Sequence, residues 1–143
     1  MDTRVLVADD QKTMRDIVTA LIGRQPGMDV VAVAENGRDA VKLARELRPD
    51  VVVMDINMPV LNGIDATRLI VNEFPGIKVL GLSIYSDCSF VEGMLNAGAA
   101  GYLLKDQVYE ELIRAIRSVV ADRIYFCPDI NPHSCINNMA KDS

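Results

Sequence analysis

Five residues stand where apolar runs stop, and their types suit one kind of chemistry. Asp9 and Asp10 follow Val5-Leu6-Val7-Ala8. Asp55 follows Val51-Val52-Val53-Met54. Ser83 closes the stretch that begins Ile77-Lys78-Val79-Leu80, and Lys105 follows Ala100-Gly101-Tyr102-Leu103-Leu104. Three carboxylates brought together repel one another and disfavour their own ionised forms. A hard divalent cation removes that conflict. Mg²⁺ prefers oxygen ligands, uses one or two carboxylates, and keeps its remaining positions for water or phosphate oxygens. With a lysine as point charge and a hydroxyl as donor, the set suits a phosphoryl group. Each residue alone has a plainer reading. Asp9-Asp10 can cap a helix, Asp55 can be a solvated loop carboxylate, Ser83 can open a turn, and Lys105 can be a surface lysine.

The elements between these residues decide whether they meet. Val5–Ala8, Val30–Val33, Val51–Met54, Ile77–Leu80 and the weaker Ala100–Leu104 are short apolar runs, mostly rich in β-branched residues. Unbroken runs of this length suit strands buried on both faces of a parallel sheet. Between them the period lengthens. Met14, Ile17, Val18, Leu21 and Ile22 share one face of a 3.6-residue repeat, as do Leu112, Ala115, Ile116, Val119 and Val120. Shorter stripes run through Ala40–Leu47, Ala66–Phe74 and Phe90–Leu95. Gly23, Pro26, Pro49, Pro75-Gly76 and Gly98 punctuate them. Lys42, Arg45 and Arg48 fall late in the second stripe, where cations suit the helix dipole. Strand and helix alternate five times. That order implies right-handed crossovers and a doubly wound α/β sheet with helices on both faces. Chemistry in such sheets sits beyond the carboxyl ends of the strands, at a topological switch point. Neighbouring strands lie about 4.8 Å apart, so groups on adjacent ends can reach one point.

Composition narrows the classes. The chain has 143 residues, enough for one domain with its own core. Half its residues are apolar and 24% are charged, as in ordinary globular proteins. A net charge of −5 argues against this chain itself gripping DNA or anionic lipid. The run Ala97–Leu104 falls far short of the roughly 20 apolar residues of a membrane helix. No secretory signal pattern opens the sequence. Cys88, Cys127 and Cys135 are too sparse and odd a set for a disulfide framework, which fits a reducing, cytoplasmic setting. No Gly-Lys-Ser/Thr occurs, so a nucleotide-hydrolysing P-loop is excluded.

Four motifs in order resemble the receiver domain of a bacterial two-component response regulator. They are Asp9-Asp10, Met54-Asp55-Ile56-Asn57-Met58-Pro59 with Gly63, Leu82-Ser83, and Ala97–Asp106. Tyr102-Leu103-Leu104-Lys105-Asp106 followed by Ile124–Pro128 is similar to the subfamily with a LuxR-type helix-turn-helix output domain. The resemblance implies a flavodoxin-like (βα)5 fold with strand order 2-1-3-4-5. It implies that Asp55 accepts a phosphoryl group from a sensor histidine kinase. Asp10, Asp55 and the backbone carbonyl of Asn57 would ligate Mg²⁺, with Asp9 acting directly or through water. Lys105 would neutralise phosphoryl charge, Ser83 would donate to it, and Tyr102 would rotate inward as Ser83 moves. Such coupling is a two-state element biased by one local charge. Tyr102 also has a plainer reading, as core packing with its hydroxyl at the rim.

Residues 1–128 are expected to form the receiver and 129–143 a linker or tail, with a DNA-binding output domain outside this chain. DNA contact would then belong to that output domain, and phosphorylation would drive dimerisation or release an inhibitory interface. Cys127, His133 and Cys135 match no common zinc spacing, and His133 and Cys135 read as linker. The alternatives are a stand-alone receiver used as a binding module and an aspartate-nucleophile phosphatase. The latter carries a second Asp where this chain has Asn57. A cofactor carrier on the same fold needs a donor-rich loop after the first strand, where Asp9-Asp10 stands. Ile84 replaces a small residue after Ser83, Asn57 and Tyr85 flank the pocket, and Asp106 replaces a proline after Lys105.

Overall fold

A computed structural model describes residues 2–128 and 130. The alternation resolves as β1 (Thr3–Ala8), α1 (Lys12–Gly23), β2 (Met28–Ala34), α2 (Gly37–Leu47), β3 (Val51–Asp55) and α3 (Gly63–Glu73), then β4 (Lys78–Ser83), α4 (Cys88–Asn96), β5 (Gly101–Leu104), α5 (Val108–Val120) and β6 (Tyr125–Phe126). All pairings are parallel, and the order is β2-β1-β3-β4-β5-β6. The expected order of five strands is present, with a sixth added at one edge.

The apolar runs form the middle of the sheet. Val5–Ala8 and Val51–Met54 are fully buried. The second run behaves differently from the expectation of burial on both faces. β2 is an edge strand, and Val33 on it is 46% exposed. The helical stripes bury Val18 and Ile22 of α1, and Leu112, Ala115, Ile116 and Val119 of α5, but Val120 at the end of α5 and Leu69 of α3, read into the same stripes, are 42% and 45% exposed. Asn36 and Asn62 cap α2 and α3 by accepting from the amides of Asp39 and Asp65, at 2.8 and 2.9 Å. Arg48 ends α2 in the left-handed region, with its guanidinium 3.9 Å over the Phe74 ring.

β6 is too short for any periodicity to announce it. The Tyr125 amide donates to the Ala100 carbonyl at 3.0 Å and the Cys127 amide to the Tyr102 carbonyl at 3.3 Å. The Tyr125 hydroxyl donates to the buried Glu111 carboxylate on α5. Cys88 stands at the start of α4. His133 and Cys135 lie outside the described residues. Among the described residues no helix is long and apolar enough to cross a membrane.

Candidate functional site

The switch point of this strand order lies between β1 and β3, and both strands end in carboxylates. One carboxylate oxygen from each of Asp9, Asp10 and Asp55 lies within 4.8 Å of the others. Lys105 leaves the end of β5 and returns over them. Its Nζ is 3.1 Å from Asp9 Oδ2 and 3.5 Å from Asp55 Oδ1. Asp10, Asp55, Asn57, Ser83 and Lys105 line one cleft of about 240 Å³, together with Gln11, Ile84 and Tyr85. A larger hollow of about 390 Å³ lies against α2 and is lined by Glu35, Asp39, Lys42 and Glu46, but among the described residues only the carboxylates of Asp9, Asp10 and Asp55 converge closely enough to share an ion.

Backbone packing sets the position of Asp55. A Cβ on Gly63 would stand 2.0 Å from the Asp55 carbonyl oxygen, and the Gly63 amide donates to the Ile56 carbonyl at 2.7 Å. Only glycine lets the start of α3 press this closely on the end of β3. Asp9 divides its two oxygens. Oδ1 accepts from the Gln11 amide at 2.8 Å, a local turn bond of the plainer kind. Oδ2 is buried without a hydrogen-bond partner among the described residues, because Lys105 is near enough for an ion pair but not aligned as a donor.

The electrostatics follow from burial. Asp55 is only 4% exposed. Its carboxyl is pushed up from 3.8 to about 7, first by desolvation and then by the adjacent Asp9 charge, with Lys105 opposing. A buried oxygen without a donor, beside carboxylates that resist joint ionisation, is an environment that a hard cation satisfies. The three-aspartate cluster therefore fits Mg²⁺.

The model of the response regulator receiver domain matches residues 5–117. The chain belongs to the response-regulator receiver family. It is 40% identical over 127 residues to the transcriptional regulatory protein DegU of Brevibacillus brevis, covering 89% of this chain and 54% of that protein. It is 42% identical to the response regulator GacA of Pseudomonas aeruginosa, over 89% of this chain and 59% of that one. The chain thus spans little more than half the length of these relatives. A crystal structure of a LuxR-family two-component response regulator from Aurantimonas sp. SI85-9A1 superimposes with a TM-score of 0.89 at 34% identity, covering 98% of this chain and 99% of that one. The LuxR-family likeness read from the sequence is borne out by these relatives, which are named as regulators.

The two residues expected to form the switch, Ser83 and Tyr102, are both buried. Tyr102 is inward, with no exposed surface, and its hydroxyl donates to the Tyr85 carbonyl at 2.6 Å. Burial pushes that hydroxyl up to about 12. Ser83 is buried at the end of β4, and its Oγ accepts from the Tyr85 amide at 3.0 Å. Asn57 is exposed on the cleft wall. Lys105 and Asp106 enter a 3₁₀ turn, Lys105–Gln107, and the described backbone has no cis peptide bond.

Two residues at the site went unread. Gln11 accepts from Lys105 Nζ at 3.2 Å; a polar residue at a helix start is ordinary and carries no signal. Arg15 is nearly buried, donates to the Asp9 carbonyl at 2.8 Å, and pairs with Glu35 at 3.3 Å. Its signal was present. A cation in the first turns of a helix opposes the dipole, which points to acidic neighbours.

Proposed function

We propose that this receiver is a phosphorylation-controlled switch in which Asp55 is the phosphoacceptor. The observation that carries this is the convergence of Asp9, Asp10, Asp55 and Lys105 at the β1/β3 switch point, with Asp9 Oδ2 left without a donor. An Asp55 carboxylate oxygen attacks phosphorus, the bond from phosphorus to the donor histidine nitrogen breaks, and an acyl phosphate forms on Asp55. Asp10, Asp55 and the Asn57 carbonyl would hold Mg²⁺, with Asp9 bound directly or through water. The ion supplies charge neutralisation at the carboxylates and the phosphoryl oxygens. Lys105, already 3.5 Å from Asp55 Oδ1, offsets the negative charge that the transfer brings. Ser83 Oγ accepts one bond from Tyr85 and keeps its own proton for a phosphoryl oxygen.

The donor is a sensor histidine kinase, and the setting is cytoplasmic. Residues 1–128 form the receiver and 129–143 lead toward an output domain that binds DNA in a longer protein, with dimerisation following phosphorylation. The relatives' regulator names support this. Return to the resting state is by hydrolysis of the acyl phosphate at the same site.

Intact-mass measurement after incubation with acetyl phosphate and Mg²⁺ tests the assignment. One added phosphoryl group is expected, absent from Asp55→Asn and from the sample without Mg²⁺. Phosphate on the Asp55→Asn protein would place the acceptor elsewhere.

A further inference from the structure

Ser83, Tyr102 and α4 are all attached to one residue. The Tyr85 amide donates to Ser83 Oγ, and the Tyr85 carbonyl accepts from the Tyr102 hydroxyl. The Tyr85 ring lies on the ring of Phe90 in α4, with centroids 4.5 Å apart and planes 14° from parallel. Between Ser83 and Tyr85, Ile84 turns outward and is 68% exposed. We propose that Tyr85 is a positioning residue: its stack on Phe90 sets how firmly Tyr102 is held inward. This rests on the receiver function proposed above and says what sets the balance of its switch.

Tyr102 can stay buried only while its hydroxyl has an acceptor. That acceptor is a loop carbonyl, in the irregular connection between β4 and α4. Nothing in a short loop fixes a carbonyl by itself. The ring beyond it does so here, because a stacked aromatic pair ties Tyr85 to a helix that is itself packed on the sheet through Val91 and Met94. The amide of the same residue keeps Ser83 Oγ turned toward it, with the hydroxyl proton left for the cleft. A ligand that binds only the inward state loses apparent affinity in proportion to the fraction of molecules outside that state. A firmer hold on the inward state makes that loss smaller.

The test uses the full chain as wild type, Phe90→Leu and Phe90→Tyr. Beryllofluoride binding in Mg²⁺ is measured by titration calorimetry. Loss of the stack in Phe90→Leu is expected to weaken apparent binding roughly three- to tenfold. Phe90→Tyr, which keeps an aromatic ring, is expected to restore it. Helix packing alone would lower the melting temperature of Phe90→Leu without changing its affinity, so equal affinities for Phe90→Leu and wild type would overturn the proposal. A second arm follows the Tyr102 ring signals by NMR in the Mg²⁺-free protein. They are expected to show a single inward state in wild type and exchange with an outward state in Phe90→Leu. Unchanged Tyr102 signals in Phe90→Leu would also overturn the proposal. Failure of wild type to bind beryllofluoride, with the Tyr102 response intact, would count against the phosphoacceptor function and leave the Tyr85 assignment standing.

Discussion

Replacing Asp55 by Asn should stabilise the fold, and by an amount that grows with pH. The folded protein holds this carboxyl at about 7, against 3.8 for an ordinary Asp. Below pH 3.8 both folded and unfolded chains carry the proton, and the site costs nothing. Between 3.8 and 7 the unfolded chain has released a proton that the folded chain keeps, so stability falls as pH rises and levels off above the folded value. Three pKa units at about 1.4 kcal/mol each set a ceiling of about 4 kcal/mol. Part of that loss has occurred by pH 5, leaving about 2–3 kcal/mol between pH 5 and 8. For a chain of this size each kcal/mol moves Tm by about 3 °C, so the remaining shift is roughly 8 °C. Asp55→Asn has no such proton, while Lys105 keeps Asp9 as its partner at 3.1 Å. Calorimetric melting in EDTA, in steps from pH 5 to pH 8, should show wild type falling relative to the variant. Adding Mg²⁺ should shrink the difference, because a ligand of the folded state stabilises it. Melting curves that stay parallel across this range would refute the reasoning, since Asp55 would then hold no unusual proton.

Other perturbations test the frame around the site. Gly63→Ala drives a Cβ to 2.0 Å from the Asp55 carbonyl oxygen and 2.8 Å from Ile56 Cα, both backbone atoms that cannot swing aside. It should cost about 3 kcal/mol in urea unfolding, and a wild-type midpoint would contradict the packing described. Val60 is a β-branched residue at φ 71°, and it is 67% exposed. Val60→Gly should therefore raise stability by about 0.5–1 kcal/mol, the relief of strain less the added freedom of the unfolded chain; a lower urea midpoint would argue against strain there. Tyr125→Phe removes the donor to the buried Glu111 carboxylate. It should cost about 2 kcal/mol, much of it recovered by adding Glu111→Leu, and a double-mutant cycle without coupling would dismiss the bond.

The sheet was legible where burial made the sequence monotonous. Val51–Met54 reads as strand because each of its side chains is buried in a central strand. Val30–Val33 has the same composition but lies at an edge, and nothing within the run records its neighbours. The candidate residues were legible because they interrupt apolar runs with charge, which a strand end tolerates and a strand middle does not. Contacts that depend on loop conformation were not legible. Lys105 reaches Gln11 across 94 positions in sequence, and Tyr102 finds its acceptor in the backbone of Tyr85. A backbone carbonyl has no residue type to read. Arg15 could have been found, since its charge runs against the dipole of the helix that carries it.

Asp9 shows why plain and chemical readings of one residue need not compete. Its Oδ1 belongs to the turn that starts α1, through the Gln11 amide, and Arg15 holds its carbonyl from one helical turn further on. Those bonds fix the carboxylate's orientation. Oδ2 therefore cannot turn away from Asp55, and the repulsion that adds to desolvation in raising Asp55 is maintained by the same contacts that begin the helix. Freed from the turn, Asp9 could rotate, the repulsion would relax, and the cluster would lose part of its demand for a cation. The part of the Asp55 shift that Asp9 supplies and the affinity of the site for positive charge thus have a common source. Ligand binding at this edge must then register in the stability of the fold, which is the property a switch requires.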